Sequence, residues 1–183
     1  MRISPLWLRE FVDLKVSDRQ LADDLTLAGI AVESINTDLA PHSILFEMEI
    51  GTNRPDAMCH YGVARECSAL YDLQLKPVKP KLPEPKPAKP FPVAIEDTRG
   101  CLRFAARVIR NVNIGPSPWR IVERLKIDDH GGISNAVDAS NYALMEMGKP
   151  THAYDLDKLE ASKLVVRRAR PGETLKTLDG VDR

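Results

Sequence analysis

Aromatic residues are scarce: Phe, Trp and Tyr make up 5% of 183 residues. A core built on this chain therefore rests mainly on aliphatic side chains, with Trp7, Trp119, Phe11, Phe46 and Phe104 expected as its few large anchors. Net charge is also absent, with 26 basic residues against 26 acidic ones. That balance argues against a general polyanion binder, although a local basic face stays open. Cysteine is sparse, and Cys59, Cys67 and Cys101 form no C-x-x-C pair. An odd number of such residues points to reduced thiols and a cytoplasmic location. Cys59 and Cys67 fall near helical spacing, which favours core packing over metal binding. No apolar run approaches about 18 residues, so no membrane-spanning helix is expected. The opening Met-Arg-Ile-Ser-Pro is not a signal peptide. No membrane partner is expected.

What the chain has in abundance is proline, in one place. Residues 76–92 hold seven of the fourteen prolines, five lysines and one glutamate. Repeated proline fixes φ and removes backbone donors, so this stretch should be extended polyproline II. Pro77-Val-Lys-Pro80 fits the P-x-x-P ligand pattern, but a stiff solvated linker is the favoured reading. The chain then divides into an N-terminal α+β domain at 1–75, a Pro/Lys-rich linker at 76–92 and a second unit at 93–183. The predicted class is α+β, two small mixed units with mainly antiparallel sheets.

In the first unit, Ser4 caps a helix with Pro5 at its first position and Trp7 and Phe11 on one face. Ser17 and Gln20 form a capping box for a second helix, whose stripe is Leu21, Leu25 and Ala28 and whose end is Gly29. Ala31 to Ile35 reads as a strand. In Ile44 to Ile50 the period is two, with Ile44, Phe46, Met48 and Ile50 on one face. The turn Asn53-Arg-Pro-Asp56 offers Asp56 as cap for a third helix running to about Asp72, with Cys59, Val63, Cys67 and Leu70 on its apolar side. In the second unit, Leu102, Phe104, Ala106 and Val108 alternate with outward-facing Arg103 and Arg107 over 101–112. Ser117-Pro-Trp119 starts a helix carrying Ile121, Val122 and Leu125. Leu164 to Ala169 reads as a strand, beside Arg167 and Arg168, which suit either a phosphate backbone or a solvated sheet face. Leu175 to Val181 reads as a strand entering an Asp179-Gly180 turn with no returning strand. That implies a fragment, or a last strand paired with another chain.

The densest chemistry lies in Asn135-Ala-Val-Asp-Ala-Ser-Asn-Tyr142 and Gly148-Lys-Pro-Thr-His-Ala-Tyr-Asp155. Apolar Ala143-Leu-Met-Glu-Met147 separates the two clusters. A turn or helix end presenting Ser140 and Asn141 to a loop presenting His152 would make a polar pocket on an apolar floor. Ordinary cap and turn chemistry would use the same residue types.

Four segments in order carry a resemblance. They are Arg2-Ile-Ser-Pro-Leu-Trp-Leu-Arg-Glu-Phe-Val12, then Thr52-Asn-Arg-Pro-Asp56 with Gly62-Val-Ala-Arg-Glu66, then the two polar clusters, then Arg167-Arg-Ala-Arg-Pro-Gly-Glu-Thr-Leu-Lys-Thr-Leu-Asp-Gly180. Together they resemble the N-terminal part of bacterial phenylalanyl-tRNA synthetase beta subunits. The resemblance implies a beta-subunit first domain at 1–75 and the first part of the B3/B4 tRNA-editing domain at 93–183. It implies a ligase that joins phenylalanine to tRNA(Phe) with ATP and magnesium, neither bound by this region. It further implies an alpha-subunit partner in an alpha2-beta2 assembly, tRNA(Phe) as RNA partner, and hydrolysis of mischarged Tyr-tRNA(Phe). By motif, Ser140 and Asn141 occupy the family's Thr-Asn pair that binds substrate, and His152 its pocket histidine. An imidazole can orient or deprotonate a water, which suits ester hydrolysis. Asp138 reads as a structural cap.

The departures from the family pattern are specific. Gly131 stands where a basic residue helps hold the tRNA end, with His130 beside it. Ser140 replaces Thr, Lys149 replaces Gln, Thr151 replaces an apolar residue and Tyr154 replaces Phe. Only Asn36 to His42 joins the first two long strands, too short for the OB-fold tRNA-binding domain that many members insert there. A non-catalytic scaffold or tRNA-docking module that has lost editing is the alternative reading.

Overall fold

A computed structural model describes residues 1–37, 44–82, 84, 89–128 and 132–183. Two compact units emerge, and both are discontinuous in sequence. One comprises Met1–Leu82 with Asn113–Ala153, the other Pro83–Val112 with Tyr154–Arg183. Compactness thus divides the chain differently from the proline-rich stretch. Residues 113–153 pack with the N-terminal residues, because Leu125, Ile127 and Met145 join the core of Ile3, Trp7, Leu8 and Phe46.

The first unit begins with strand β1 (Arg2–Ile3) and helix α1 (Pro5–Phe11). Ser4 caps α1, its hydroxyl accepting from the Trp7 amide at 3.4 Å, and Pro5 fills the first turn where no amide is needed. Trp7, Leu8 and Phe11 are buried, so the short helix is held by its apolar face rather than by its length. Helix α2 (Asp18–Leu27) is capped by Ser17, whose Oγ accepts from the Gln20 amide at 3.2 Å. The Gln20 side chain donates to Asp24 at 2.8 Å instead of returning to the cap, so half of the predicted capping box forms. The buried stripe is Leu21, Ala22 and Leu25; Ala28 is exposed because the helix ends there before a further turn can pack.

Strands β2 (Ala31–Asn36) and β3 (Leu45–Glu49) pair antiparallel, with a bulge between Val32 and Ser34. The sheet order is β1-β3-β2, with Ile3 opposite Phe46 and Ile35 opposite Phe46 on the other edge. Central β3 buries Phe46 and Met48 as the alternation predicts, and Leu45 as well. Of the connection read as Asn36 to His42, residues 38–42 lie outside the described residues, as do Gly131 and His130 and, within the tether, 83 and 85–88.

Helix α3 (His60–Leu70) departs from expectation at both ends. Its cap is Cys59, whose sulfur accepts from the Gly62 amide at 3.2 Å. Asp56 lies in a single 3₁₀ turn, Pro55–Ala57, and its carboxylate accepts from Arg54 at 3.0 Å and from Arg65 at 2.9 Å. Two guanidinium partners outbid the helix end for that carboxylate. At the far end Leu70 is 40% exposed, although Val63 and Cys67 are fully buried. Helices α4 (Trp119–Leu125) and α5 (Asn135–Met147) complete the unit. Trp119 opens α4, six residues ahead of the packed Leu125, and is 77% exposed rather than a core anchor.

The second unit has a two-stranded parallel sheet, β4 (Val93–Ile95) with β5 (Leu164–Val166), in the register Val93 to Leu164. None of its described residues is buried. The strand predicted over 101–112 is irregular, with Leu102 90% and Phe104 38% exposed. Alternation is a conditional signal: it becomes a strand where a neighbour supplies hydrogen bonds and a layer covers one face. Among the described residues, β4 and β5 pair only with each other. Arg167 donates to both Glu173 oxygens at 2.7 Å, and Arg168 lies 2.7 Å from Asp97. Both arginines therefore already hold carboxylates. The Asp179-Gly180 turn does return: Leu175 and Arg183 exchange two backbone bonds of 2.8 and 3.0 Å, and Lys176 bridges Asp182. A three-residue return closes the hairpin that the sequence pattern leaves open.

Gly62 gives a test of α3 packing. A Cβ there would lie 2.0 Å from the Asp56 carbonyl oxygen, a backbone atom that cannot move aside cheaply. Alanine is the better helix former by about 1 kcal/mol, yet Gly62→Ala should destabilise the chain by roughly 2 kcal/mol or more. Urea denaturation followed by circular dichroism measures this; a midpoint at or above that of the parent chain would refute the close approach.

Candidate functional site

Helix α5 carries two of the three predicted site residues, and its position is set at both ends. Ser134 caps it, accepting from the Val137 amide at 3.4 Å. Asp138, one turn in, is 1% exposed; it accepts from the Ser117 hydroxyl at 2.5 Å and from the Ile133 amide at 3.1 Å. Asn135 donates to the Asn113 carbonyl at 2.9 Å and its amide donates to Gly115 at 2.8 Å. The polar residues at the head of the cluster thus tie residues 113–117 to the helix. At the other end Gly148 adopts a left-handed conformation with φ +66°, and a Cβ there would press on Cys59 Sγ at 3.2 Å.

Ser140 lies in the middle of α5, not at a turn or helix end. A 13-residue helix absorbs the whole run because Ser134, rather than a later polar residue, supplies the cap. The Ser140 hydroxyl donates to the Thr151 carbonyl at 2.6 Å and contacts the Thr151 hydroxyl at 2.8 Å. A serine has a single proton, so the Thr151 hydroxyl is the donor in the second bond. Ser140 thereby joins the helix to the extended segment after Gly148. Asn141 follows it on α5 and is half-buried; His152 follows Thr151 and is exposed. The segment bearing His152 is brought directly against Ser140, and Asn141 is the adjoining helical position. Among the described residues, no group of three or more His, Cys, Asp or Glu is arranged to hold a metal ion. No helix among them is long and apolar enough to cross a membrane.

Beneath α5 lies a constellation that sequence reading missed. His60 is 0% exposed at the start of α3. Its Nε2 accepts from the Ser4 amide at 3.1 Å, and its Nδ1 donates to the Met145 carbonyl at 2.9 Å. The Trp7 ring stacks on it with centroids 4.0 Å apart, and Tyr142 lies 5.0 Å from Trp7. The Arg124 guanidinium sits 4.4 Å from the Trp7 ring centroid and donates to the Tyr142 hydroxyl. Glu10 receives both Arg124 and, at 2.9 Å, Arg120. Half-buried Glu146 lies in the same neighbourhood, its carboxyl pushed up by burial and pulled back by Arg124. The signal available in the sequence was spacing: His60, Val63, Ala64 and Cys67 make one helical stripe, so a histidine there belongs to the core.

A family described as the B3/4 domain matches residues 100–183. The phenylalanine–tRNA ligase beta subunit of Anaeromyxobacter dehalogenans is 47% identical over 142 residues, 76% of this chain and 18% of that protein. That of Rhodopirellula baltica is 38% identical over 181 residues, 98% of this chain and 26% of that protein. That of Carboxydothermus hydrogenoformans is 42% identical over 151 residues, or 82% and 19%. The chain belongs to the phenylalanine–tRNA ligase beta-subunit family. It spans between about a fifth and a quarter of the length of these relatives. The region matched as the B3/4 domain contributes residues to both compact units, and Ser140, Asn141 and His152 all lie in the first.

Burial, aided by the Arg124 charge, lowers the His60 pKa from 6.5 to about 4, against the Met145 carbonyl, which favours the protonated ring. The unfolded chain therefore takes up a proton near pH 6.5 that the folded chain refuses until about pH 4. Stability is fully present above pH 6.5 and falls as the pH drops through that window, by roughly 3 kcal/mol in total from this group. Between pH 7 and pH 4 the parent chain should lose roughly 3 kcal/mol more stability than His60→Gln, read from thermal melts; parallel curves would show that His60 binds its proton equally well in the folded and unfolded chain.

Proposed function

We propose that this chain supplies the first domain, at 1–75, and the first part of the B3/B4 editing domain, at 93–183, of a phenylalanine–tRNA ligase beta subunit. The whole enzyme attaches phenylalanine to tRNA(Phe) using ATP and magnesium, with an alpha subunit as partner and the cytoplasm as its location. The observation that carries the editing reading is the direct bond from Ser140 on α5 to Thr151, which sets the His152 segment beside the Ser140–Asn141 pair.

The chemistry required is modest. A hydrophobic site rejects an added hydroxyl by only about 100-fold, so tyrosine attached in error must be removed by a second, hydrolytic site. The aminoacyl ester needs polar groups to hold it and a positioned water to attack its carbonyl carbon. The attack forms a bond from water oxygen to that carbon and breaks the bond to the ribose oxygen, which leaves with a proton. Asn141 offers a carboxamide with both donor and acceptor for the ester or the tyrosine main chain. His152 offers an imidazole, a side chain able to orient a water or accept its proton. Ser140, with its proton committed to Thr151, is a positioning hydroxyl and not a nucleophile.

The exposure of Ser140's partner Thr151 and of His152 favours one competing reading, a tRNA-docking module without hydrolysis. Deacylation of Tyr-tRNA(Phe) by the intact ligase separates the two. The double variant Asn141→Ala, His152→Ala should lower the rate by about 100-fold or more, in the range of lost general-base and positioning groups, with phenylalanine attachment unchanged. An unchanged deacylation rate would remove these residues from the site. Tyr-tRNA(Phe) bound with salt-dependent affinity but left intact by the parent enzyme would establish the docking module instead.

A further inference from the structure

The editing reading uses Ser140, Asn141 and His152 but leaves the buried His60 without a task. Its placement gives it one. The two ring nitrogens face two different backbones: the Ser4 amide at the head of α1 and the Met145 carbonyl near the end of α5. Met145 follows Ser140 by five residues, about 7.5 Å along the same helix. A helix of this length is stiff, so any slide or rotation at Met145 reappears at Ser140. We propose that His60 is a positioning residue for hydrolysis at the α5 site, a neutral strut that fixes where α5, and with it Ser140 and Asn141, stands against α1 and α3. The proposal rests on the editing reading above.

Only a few side chains could do this. The strut must accept at one end and donate at the other, across the short span between imidazole nitrogens. A protonated ring has no acceptor left for the Ser4 amide, so the strut works only as the neutral Nδ1–H form. An apolar side chain of similar volume would leave a buried amide and a buried carbonyl unpaired, which favours displacement of one helix toward other partners. The Trp7 ring stacked at 4.0 Å confines the imidazole plane. On α5, the Met145 carbonyl is available because it belongs to the last turn, where carbonyls have no partner within the helix.

The test compares His60→Leu with His60→Gln in the intact ligase. Glutamine keeps one donor and one acceptor at a similar separation and cannot be protonated. His60→Leu should lower kcat for Tyr-tRNA(Phe) deacylation by about 10- to 100-fold, the scale of a displacement near 1 Å, with KM and phenylalanine attachment held within about two-fold. His60→Gln should restore kcat to within a few-fold of the parent. A His60→Leu enzyme, folded at the assay temperature, with unaltered kcat would overturn the proposal. So would equal losses in deacylation and attachment, which mark a merely structural role. Nitrogen-15 spectra of the imidazole in this 183-residue chain give an independent reading. The neutral Nδ1–H tautomer persisting near pH 5 supports the strut, and an imidazolium there overturns it whatever the site does. If Ser140→Ala, Asn141→Ala and His152→Ala all leave deacylation intact while the tautomer is as described, the editing reading has failed and the positioning role falls with it.

Discussion

A single uncharged imidazole, enclosed among apolar side chains, joins three helices of the first compact unit. His60 satisfies a backbone donor from α1 and a backbone acceptor from α5 while belonging to α3. Buried polar backbone must find partners, and here one ring serves two segments 141 residues apart in sequence, Ser4 and Met145. The surrounding groups fit that arrangement. Trp7 stacks on the ring, Arg124 lies over Trp7 and reaches Tyr142, and Glu10 neutralises Arg124 at the solvent side. Gly148 permits α5 to end against Cys59, the cap of the helix that begins with His60.

This packing explains why the compact units interleave along the chain. The proline-rich stretch separates two regions of sequence, but α4, the 3₁₀ turn Lys126–Asp128 after it and α5 return to the N-terminal core, to which they contribute Leu125, Ile127 and Met145 respectively. The helix bearing Ser140 and Asn141 therefore derives its order from residues far outside the B3/4 match at 100–183. A site of this kind needs a rigid base, since small displacements of a positioned group cost large factors in rate. Here α1 and α3 hold α5 through the two bonds of His60.

Much of this was legible in the residues. Ser4-Pro5 and Ser17 announced their helices because a cap is local chemistry, confined to a few positions. Phe46 and Met48 announced β3 because its face is buried against the core. The alternation at 101–112 misled for the opposite reason: Leu102 and Phe104 carry the period of a strand, but among the described residues nothing pairs with them. Asp56 looked like a cap until Arg54 and Arg65 claimed it, which no single-residue signal reveals. At the candidate site, Ser140, Asn141 and His152 are visible in the sequence as a cluster of residue types. The bond that links two of the segments, Ser140 to Thr151, depends on α5 running through the cluster rather than ending within it. His60 escaped notice because its role is written in the fold and not in its neighbours.

On this packing α1, α3, α4 and α5 should form one cooperative body around His60. Native-state amide hydrogen exchange of this chain reads that cooperativity. The slowest amides of α5 and those of α1 and α3 will then open with one common free energy and respond in parallel to added denaturant. Amides of α4 and α5 that exchange by a separate opening of much lower free energy, while α1 and α3 stay protected, would contradict it.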